Sequence, residues 1–216
     1  MKIFFPAALL LFMMACNNAA ETKAPVEDTS QIEDEVVADD APEIENAKVS
    51  FQQLFSFLEE RDSSFNANQF QLVIVDSMEL MPAQPIDETS LKPYYPYLVY
   101  NTDSSKAIDL HSYNTILVER KGKVLSEAAG PDTEIALIDF TNKTRQRLLF
   151  VGPSSVINDG KWINDHIISI AGGEIVDSEK FKPEVWLFDI NAKKMKVLSY
   201  ADTLQVKIAD YKKQSL

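Results

Sequence analysis

The residues that could do chemistry in this chain are few. Among 216 residues there are two histidines, His111 and His166, and one cysteine, Cys16. Two histidines severely restrict the choice of zinc sites, and a single cysteine cannot form a disulfide within the chain. No glycine-rich phosphate loop, Gly-x-Ser-x-Gly turn or His-Glu-x-x-His motif is present. We therefore expect no catalytic residue, no metal and no cofactor.

One polar segment has the spacing of a calcium loop. Between residues 101 and 109, oxygen-bearing side chains occupy positions 1, 3, 5 and 9 of a count like that of an EF-hand. Position 6 is Lys106, where such a loop needs glycine, and position 12 is Ser112, where it needs glutamate. A turn in which Asp103 caps its own backbone accounts for the same residues. The turn is the interpretation we favour.

Two candidate Ser-His-Asp relays exist: Asp109, His111 and Ser112, or Asp165 and His166 with a distant serine. Side chains alternate between the two faces of a strand, so Asp109 and His111 would point one way and Ser112 the other. That arrangement does not suit a relay. The sequence therefore predicts no catalytic triad.

Aromatic residues offer the best sequence evidence for a binding groove. Tyr94, Tyr95 and Tyr97 cluster beside two prolines, and Trp162 and Trp186 follow later in the chain. Each combines an apolar ring with a hydrogen-bonding group, so together they could line a groove for a glycan or a peptide. In a β domain the same residue types commonly pack in the core or at its rim, and both interpretations stay open.

A repeated segment predicts the elements that would position these residues. Residues 135–150 and 185–200 align without a gap, and each reads as an apolar strand, a polar turn and a second strand. The two copies match at Leu137/Leu187, Asp139/Asp189, Lys143/Lys193 and Leu148/Leu198. We expect two β-hairpins in equivalent places, with the repeated aspartates stabilising their turns.

The repeat resembles the blades of TolB-type or WD-repeat-like β-propellers. The resemblance covers residues 94–150 and 151–200, and its second copy includes the turn Asn158-Asp159-Gly160 and a loop predicted over 172–183. It implies antiparallel, blade-like sheets, but two blades are too few to close a ring. An open or incomplete propeller, a face-to-face sandwich and a ring completed by an oligomer all remain possible architectures. The predicted fold is thus mainly β.

Two further elements precede the blades in the predicted domain, which covers 43–210. Phe51, Leu54, Phe55 and Leu58 fall at helical spacing, which predicts one N-terminal amphipathic helix ending near Arg61. Its polar face lacks the basic residues of membrane-surface helices, so we expect its apolar face to pack on the β domain. The apolar run at 72–75 then predicts a strand inside a sheet.

The start of the chain resembles a bacterial lipoprotein signal peptide. Met1-Lys2 is followed by an apolar stretch over 3–12 and by Met13-Met14-Ala15-Cys16, with the cysteine at the lipobox position. A transmembrane anchor is the alternative, but the apolar stretch is about half the ~20 residues that a span needs. The resemblance implies that residues 1–15 are removed and that Cys16 carries the lipid, including palmitate. Asn17 then favours the outer membrane, with the periplasmic or surface-facing side left open.

Charge is concentrated in a segment after the cysteine. Ten acidic residues against one lysine fall between Glu21 and Glu45, whereas the remainder of the chain is nearly neutral. Dense like charge with few aromatic residues predicts a disordered tether over 16–42. The nearly neutral remainder has no basic stripe to neutralise phosphates, so we expect no nucleic-acid partner.

Two classes of function follow from these features. The first is a membrane-anchored, non-catalytic lipoprotein of the cell envelope whose β domain is a scaffold for contacts with another envelope protein or a glycan. The second is a periplasmic or surface hydrolase, or its substrate-binding accessory. The first class is favoured because the second requires catalytic residues that the sequence does not supply.

Overall fold

The structure is a computed structural model that describes residues 41–78, 81–207 and 209–210. The predicted signal peptide, the lipidation site Cys16 and nearly all of the predicted tether lie outside the described residues. The described chain is mainly β, with antiparallel sheets of which none closes into a barrel. The predicted mainly antiparallel β class is therefore confirmed.

Thirteen strands and three α-helices are described. The helices are α1 (Ala41–Ser50), α2 (Gln52–Arg61) and α3 (Glu88–Leu91), and short 3-10 helices cover Ala67–Gln69 and Lys92–Tyr97. The first strands are β1 (Phe70–Ser77), β2 (Gln84–Pro85), β3 (Val99–Tyr100), β4 (Lys106–Asp109), β5 (Thr115–Arg120) and β6 (Lys123–Ala128). The remainder are β7 (Thr133–Asp139), β8 (Thr144–Val151), β9 (Ser155–Trp162), β10 (Ile167–Ile175), β11 (Lys180–Asp189), β12 (Lys194–Tyr200) and β13 (Leu204–Gln205).

The two large sheets have the same strand order. Sheet A runs β1-β12-β11-β10-β9, with β13 beside β11, and sheet B runs β2-β8-β7-β4-β3. In each sheet the repeated hairpin, β7–β8 or β11–β12, lies next to an earlier hairpin, and its last strand pairs with a strand from upstream in the chain. The backbone also repeats: Met78 N donates to Lys193 O at 2.9 Å, and Ile86 N donates to Lys143 O at 3.0 Å. The fifty-residue repeat thus occupies equivalent positions in the two sheets.

The sheets form the inner layers of a stack. A core that includes Ile108 and Leu137 of sheet B and Ile170 and Phe188 of sheet A lies between them. The other face of sheet A, where Leu187 lies, packs against α1 and α2. The other face of sheet B packs against the segment around α3. The equivalent residues Leu137 and Leu187 therefore point in the same direction through the stack. This excludes a two-fold sandwich in which equivalent faces of the two sheets meet.

The predicted helix is present in two pieces. Phe51, with φ of −118° and ψ of 34°, interrupts the helix between α1 and α2. The apolar face of α2 is buried as expected, and the Phe55 ring stacks on Phe70 at the start of β1, with centroids 5.8 Å apart. This contact fixes α2 over sheet A.

The strand over 72–75 is not inside a sheet, contrary to the prediction from its apolar run. β1 pairs with β12 and forms the edge of sheet A. Val73, Ile74 and Val75 are 54%, 47% and 50% exposed. The core beneath the helices includes Phe70 and borders Leu72 but does not extend to these three residues. An uninterrupted apolar run does not by itself distinguish a central strand from an edge strand.

The loop predicted over 172–183 is also wrong, because most of these residues belong to strands. β10 continues through Gly172 and Gly173 to Ile175, and β11 begins at Lys180. A Cβ atom on Gly172 would lie 2.2 Å from the Val156 carbonyl oxygen. Glycine is present here because strands approach too closely for a side chain, not because the chain turns.

Candidate functional site

A cleft of about 620 Å³ lies between the β5–β6 hairpin and the end of sheet A where β9 begins. The hairpin forms a two-stranded sheet of its own and is inserted between β4 and β7 of sheet B. Tyr94 and Tyr97, from the 3-10 helix, form another part of the wall. The cleft is lined by Tyr94, Tyr97, His111, Asn114, Thr115, Leu117, Val124–Ala128, Gly130, Pro131, Thr133, Pro153 and Ser155–Ile157.

Hydrogen bonds hold the walls of the cleft in place. The Tyr94 hydroxyl donates to the Thr115 carbonyl at 2.6 Å, which ties the 3-10 helix to the start of β5. Asn114 Nδ2 donates to Thr133 Oγ1 at 3.1 Å and links the base of the hairpin to β7. The base is therefore anchored from two sides, whereas every residue of β6 is exposed.

A side pocket of about 170 Å³ adjoins the cleft and is lined by Leu110, Asn158 and the shared residues His111, Asn114, Thr115, Thr133 and Ile157. The turn predicted at residues 158–160 is wrong, because these residues lie within β9. The pairing of β9 with β10 skips Asn158, which is the extra residue of a β-bulge. Its Oδ1 and Nδ2 are shielded from solvent and have no hydrogen-bond partner among the described residues. An unpaired buried amide costs about 1–3 kcal/mol. A group that presents an acceptor beside a donor, such as a carboxamide, could satisfy both amide atoms.

His111 lies at the junction of the cleft and the side pocket. Burial lowers the pKa of its imidazole below the usual range, and the nearby charges of Asp109 and Asp159 oppose this shift only in part. The ring is therefore neutral at pH 7, where one nitrogen donates and the other accepts a hydrogen bond. His111 thus adds a further neutral polar group to the site.

The structure corrects the geometry expected around Asp109. β4 ends at Asp109, so strand alternation does not continue to Ser112. The Ser112 hydroxyl donates to Asp109 Oδ2, and the Ser112 and His111 backbone N–H groups donate to Oδ1 at 2.9 and 3.1 Å. Within the part of the chain described, no hydrogen bond links the His111 ring to either side chain. Asp109 therefore caps a turn, and these residues do not form a relay.

The expected aromatic groove is only partly assembled. Tyr94 and Tyr97 line the cleft, and Tyr97 is 45% exposed. Tyr95 instead packs edge-on against Phe140, which directly follows β7. Trp186 is buried in the core between the sheets, and Trp162 borders that core and donates from Nε1 to the Val99 carbonyl at 2.8 Å. The two tryptophans thus join the sheets and do not line the cleft.

The polar segment with calcium-like spacing is a turn that satisfies its own polar groups. Asp103 Oδ1 accepts from Ser105 N and from Asn101 Nδ2, each at 2.9 Å. Asn101 Oδ1 accepts from Lys106 N, also at 2.9 Å. In the residues that the structure describes, no group of three or more His, Cys, Asp or Glu side chains is placed to hold a metal ion.

The turns of the repeated hairpins agree with the sequence prediction. Asp139 Oδ1 accepts from Asn142 N at 2.8 Å, and Asp189 Oδ1 accepts from Asn191 N and Ala192 N at 3.0 and 2.9 Å. Lys143 and Lys193 have φ of 55° and 54° in the same two turns. The repeated aspartates are therefore turn-stabilising residues.

A cluster of two buried acids and two partly exposed arginines on sheet B was not predicted from the sequence. Glu134 is 2% exposed and forms ion pairs with Arg145 and Arg147, and Arg145 also lies 3.5 Å from Asp109. Two acids thus balance two bases, so the arginines have no uncompensated charge for an anionic ligand. The register of β7 with β8, which brings these residues together, is not visible as a sequence motif.

Comparison with protein-family models, with curated proteins and with solved structures finds no match to the chain. Among the described residues, no helix has both the length and the apolar composition needed to cross a membrane. What the protein does is therefore inferred from its own residues.

Proposed function

We propose that this protein is a non-catalytic lipoprotein of the cell envelope whose β domain binds another envelope component in the cleft. The observation that supports the proposal best is the cleft itself. Its volume lies within the range of about 300–1,000 Å³ typical of ligand sites. Its wall combines exposed apolar side chains, such as Val124 and Leu125, with the neutral His111 and the unpaired Asn158 amide beside it.

The stacked sheets support a scaffolding role for the domain. Their common strand order and the common direction of Leu137 and Leu187 are what two successive repeat units would show. We propose on this basis that they are related as blades of an open, propeller-like array. The β5–β6 hairpin is inserted between β4 and β7 and has no counterpart between β10 and β11 of sheet A. It forms one wall of the cleft.

The membrane anchor in this proposal rests on the sequence around Cys16. Metabolic labelling with a palmitate analogue should tag the wild-type chain, and Cys16→Ala should be unlabelled and should leave the membrane fraction. Cys16→Ala that is still labelled would contradict the lipoprotein assignment and leave binding in the cleft to be judged separately.

Binding in the cleft can be tested with a photo-crosslinking amino acid. We would place it at Val124, which lines the cleft and is 56% exposed, and as a matched control at Val75, which is 50% exposed on the opposite edge of sheet A from β9. Irradiation of cells that express each variant should give a specific adduct from position 124 and none from position 75. Adducts from position 75 alone, or no adduct from either position, would contradict the proposal.

A further inference from the structure

The β5–β6 hairpin has a geometry that fixes the direction of its backbone groups. Arg120 pairs with Lys123 across a two-residue turn, in which Lys121 and Gly122 have φ of 54° and 74°. Two positive φ values define a type I′ turn. In such a hairpin the residues that flank the turn form a hydrogen-bonded pair, and hydrogen-bonded and non-hydrogen-bonded pairs then alternate along the ladder.

This alternation identifies the backbone groups of β6 that have no partner in β5. Counting from the turn, hydrogen-bonded pairs fall at 120–123, 118–125 and 116–127, and the next would be 114–129. Ala129 N does donate to Asn114 O, at 2.8 Å. The N–H and C=O groups of Val124, Ser126 and Ala128 therefore point away from β5.

These outward groups face the cleft. β6 lines the cleft with the consecutive residues Val124–Ala128, whereas β5 contributes only Thr115 and Leu117, which share one face. Thr115 and Leu117 share a face of the hairpin with Ser126 and Ala128, so the cleft covers that face. Leu125 and Glu127 point to the other face, and their presence in the lining shows that the cleft also reaches the outer edge of β6. β9, which forms the edge of sheet A opposite β1, also contributes consecutive residues, Ser155–Ile157. The cleft thus lies between two strand edges.

We propose that the ligand of the cleft is an extended polypeptide segment of a partner protein, which adds to β6 as a third strand. This inference rests on the proposed function. The outward donor–acceptor pairs of β6 recur every second residue, about 7 Å apart, which is the spacing that another strand presents. A glycan has no such repeat. The six residues of β6 span about 20 Å, so a segment of five or six residues matches the edge.

Two substitutions at one position separate backbone recognition from side-chain recognition. Ser126 is exposed and pairs with Leu117 in a non-hydrogen-bonded pair, so its N–H is not part of the β5–β6 ladder. Ser126→Pro removes that N–H and blocks the edge, while Ser126→Ala removes only the hydroxyl. Peptides selected from a random dodecapeptide phage library against the detergent-solubilised full chain would be synthesised and titrated against all three proteins. We expect Ser126→Ala to bind within about threefold of wild type and Ser126→Pro to bind at least about tenfold more weakly.

A scan of the peptide keeps the test decisive if Ser126→Pro fails to fold. N-methylation of each peptide residue in turn should weaken binding at every second position and be tolerated between, because alternate N–H groups face β6. Equal tolerance at all positions, or equal binding to Ser126→Pro in its folded form, would overturn the proposal. The proposal would also be overturned if the wild-type protein is a dimer and Ser126→Pro is a monomer. In that case a second copy of this chain, and not a partner protein, would occupy the cleft. In the photo-crosslinking experiment, a glycan adduct from position 124 would refute the proposal of a peptide ligand but would agree with the proposed function. The absence of any adduct would refute the proposed function itself.

Discussion

Gly172→Ala should be among the most damaging single-methyl changes in the described domain. Gly172 lies in the middle of β10, between its neighbours β9 and β11. An added Cβ would lie 2.2 Å from the Val156 carbonyl oxygen, and 3.1 Å from both Ile157 Cα and Trp186 Cζ3. Ordinary contacts of a Cβ atom begin at 3.4 Å, so the backbone of β9 would have to move by about 1 Å.

The size of the effect follows from what must move. Overpacking a core typically costs about 1–3 kcal/mol, and more where the obstructing atoms belong to the backbone, since backbone atoms cannot change rotamer. We therefore expect Gly172→Ala to lose about 3 kcal/mol or more of unfolding free energy. Urea titration followed by tryptophan fluorescence measures this loss, because Trp186 lies against the site.

Gly130→Ala is the matched control for this experiment. A Cβ atom on Gly130 would meet nothing within 4 Å. The same chemical change should therefore leave the urea midpoint unchanged or raise stability by up to about 1 kcal/mol, through the lower entropy of the unfolded chain. Equal midpoints for Gly172→Ala and wild type would show that β9 and β10 are not packed as described and would refute the reasoning.

Three further predictions concern the repeat and the cleft. Leu137→Ala and Leu187→Ala, at buried positions that are each 7% exposed, should each lower the unfolding free energy by about 2–5 kcal/mol in urea titrations; a loss confined to one of them would contradict their equivalence. Lys193→Gly should raise stability by about 0.5–1 kcal/mol, because Lys193 has a left-handed φ of 54° that glycine adopts at little cost, and an unchanged or lower midpoint would argue against that turn. The lowered pKa of His111 means that the unfolded chain binds its proton more readily, so wild-type stability should fall as the pH drops below about 6.5, the ordinary histidine pKa. His111→Gln should lose that part of the pH dependence, and an identical stability–pH curve for the variant would show that the ring is not buried.

Local structure was largely predictable because its causes lie close together in the sequence. The repeated hairpins, the aspartates that cap their turns and the apolar face of α2 all depend on spacing within about one hairpin or a few helical turns. Asp139 and Asp189 accept hydrogen bonds from residues two or three positions further on, so the sequence contains both partners of each interaction.

The errors occurred where a residue's role depends on a distant partner. The apolar run in β1 resembles that of a central strand, but β1 pairs with β12, from the other end of the domain, and its free edge stays exposed. Gly172 was predicted to lie in a loop, but glycine is needed there because the Val156 carbonyl of the neighbouring strand leaves no room for a side chain. Ser112 contacts Asp109 because β4 ends at Asp109, three residues before Ser112, so strand alternation does not apply to Ser112.

The sequence by itself determined the mainly β class, the two-copy repeat, its turns and the near neutrality of the chain after its acidic segment, because periodicity, turn chemistry and charge are properties of neighbouring residues. Only the tertiary structure decided that Tyr94 and Tyr97 line one cleft together with the β5–β6 hairpin and β9. It likewise decided that Trp162 and Trp186 lie between the two sheets. It also decided which strand edges are free, since pairing between strands far apart in the chain is set by how whole sheets bury their faces. The cleft and the backbone groups that face it are products of that packing.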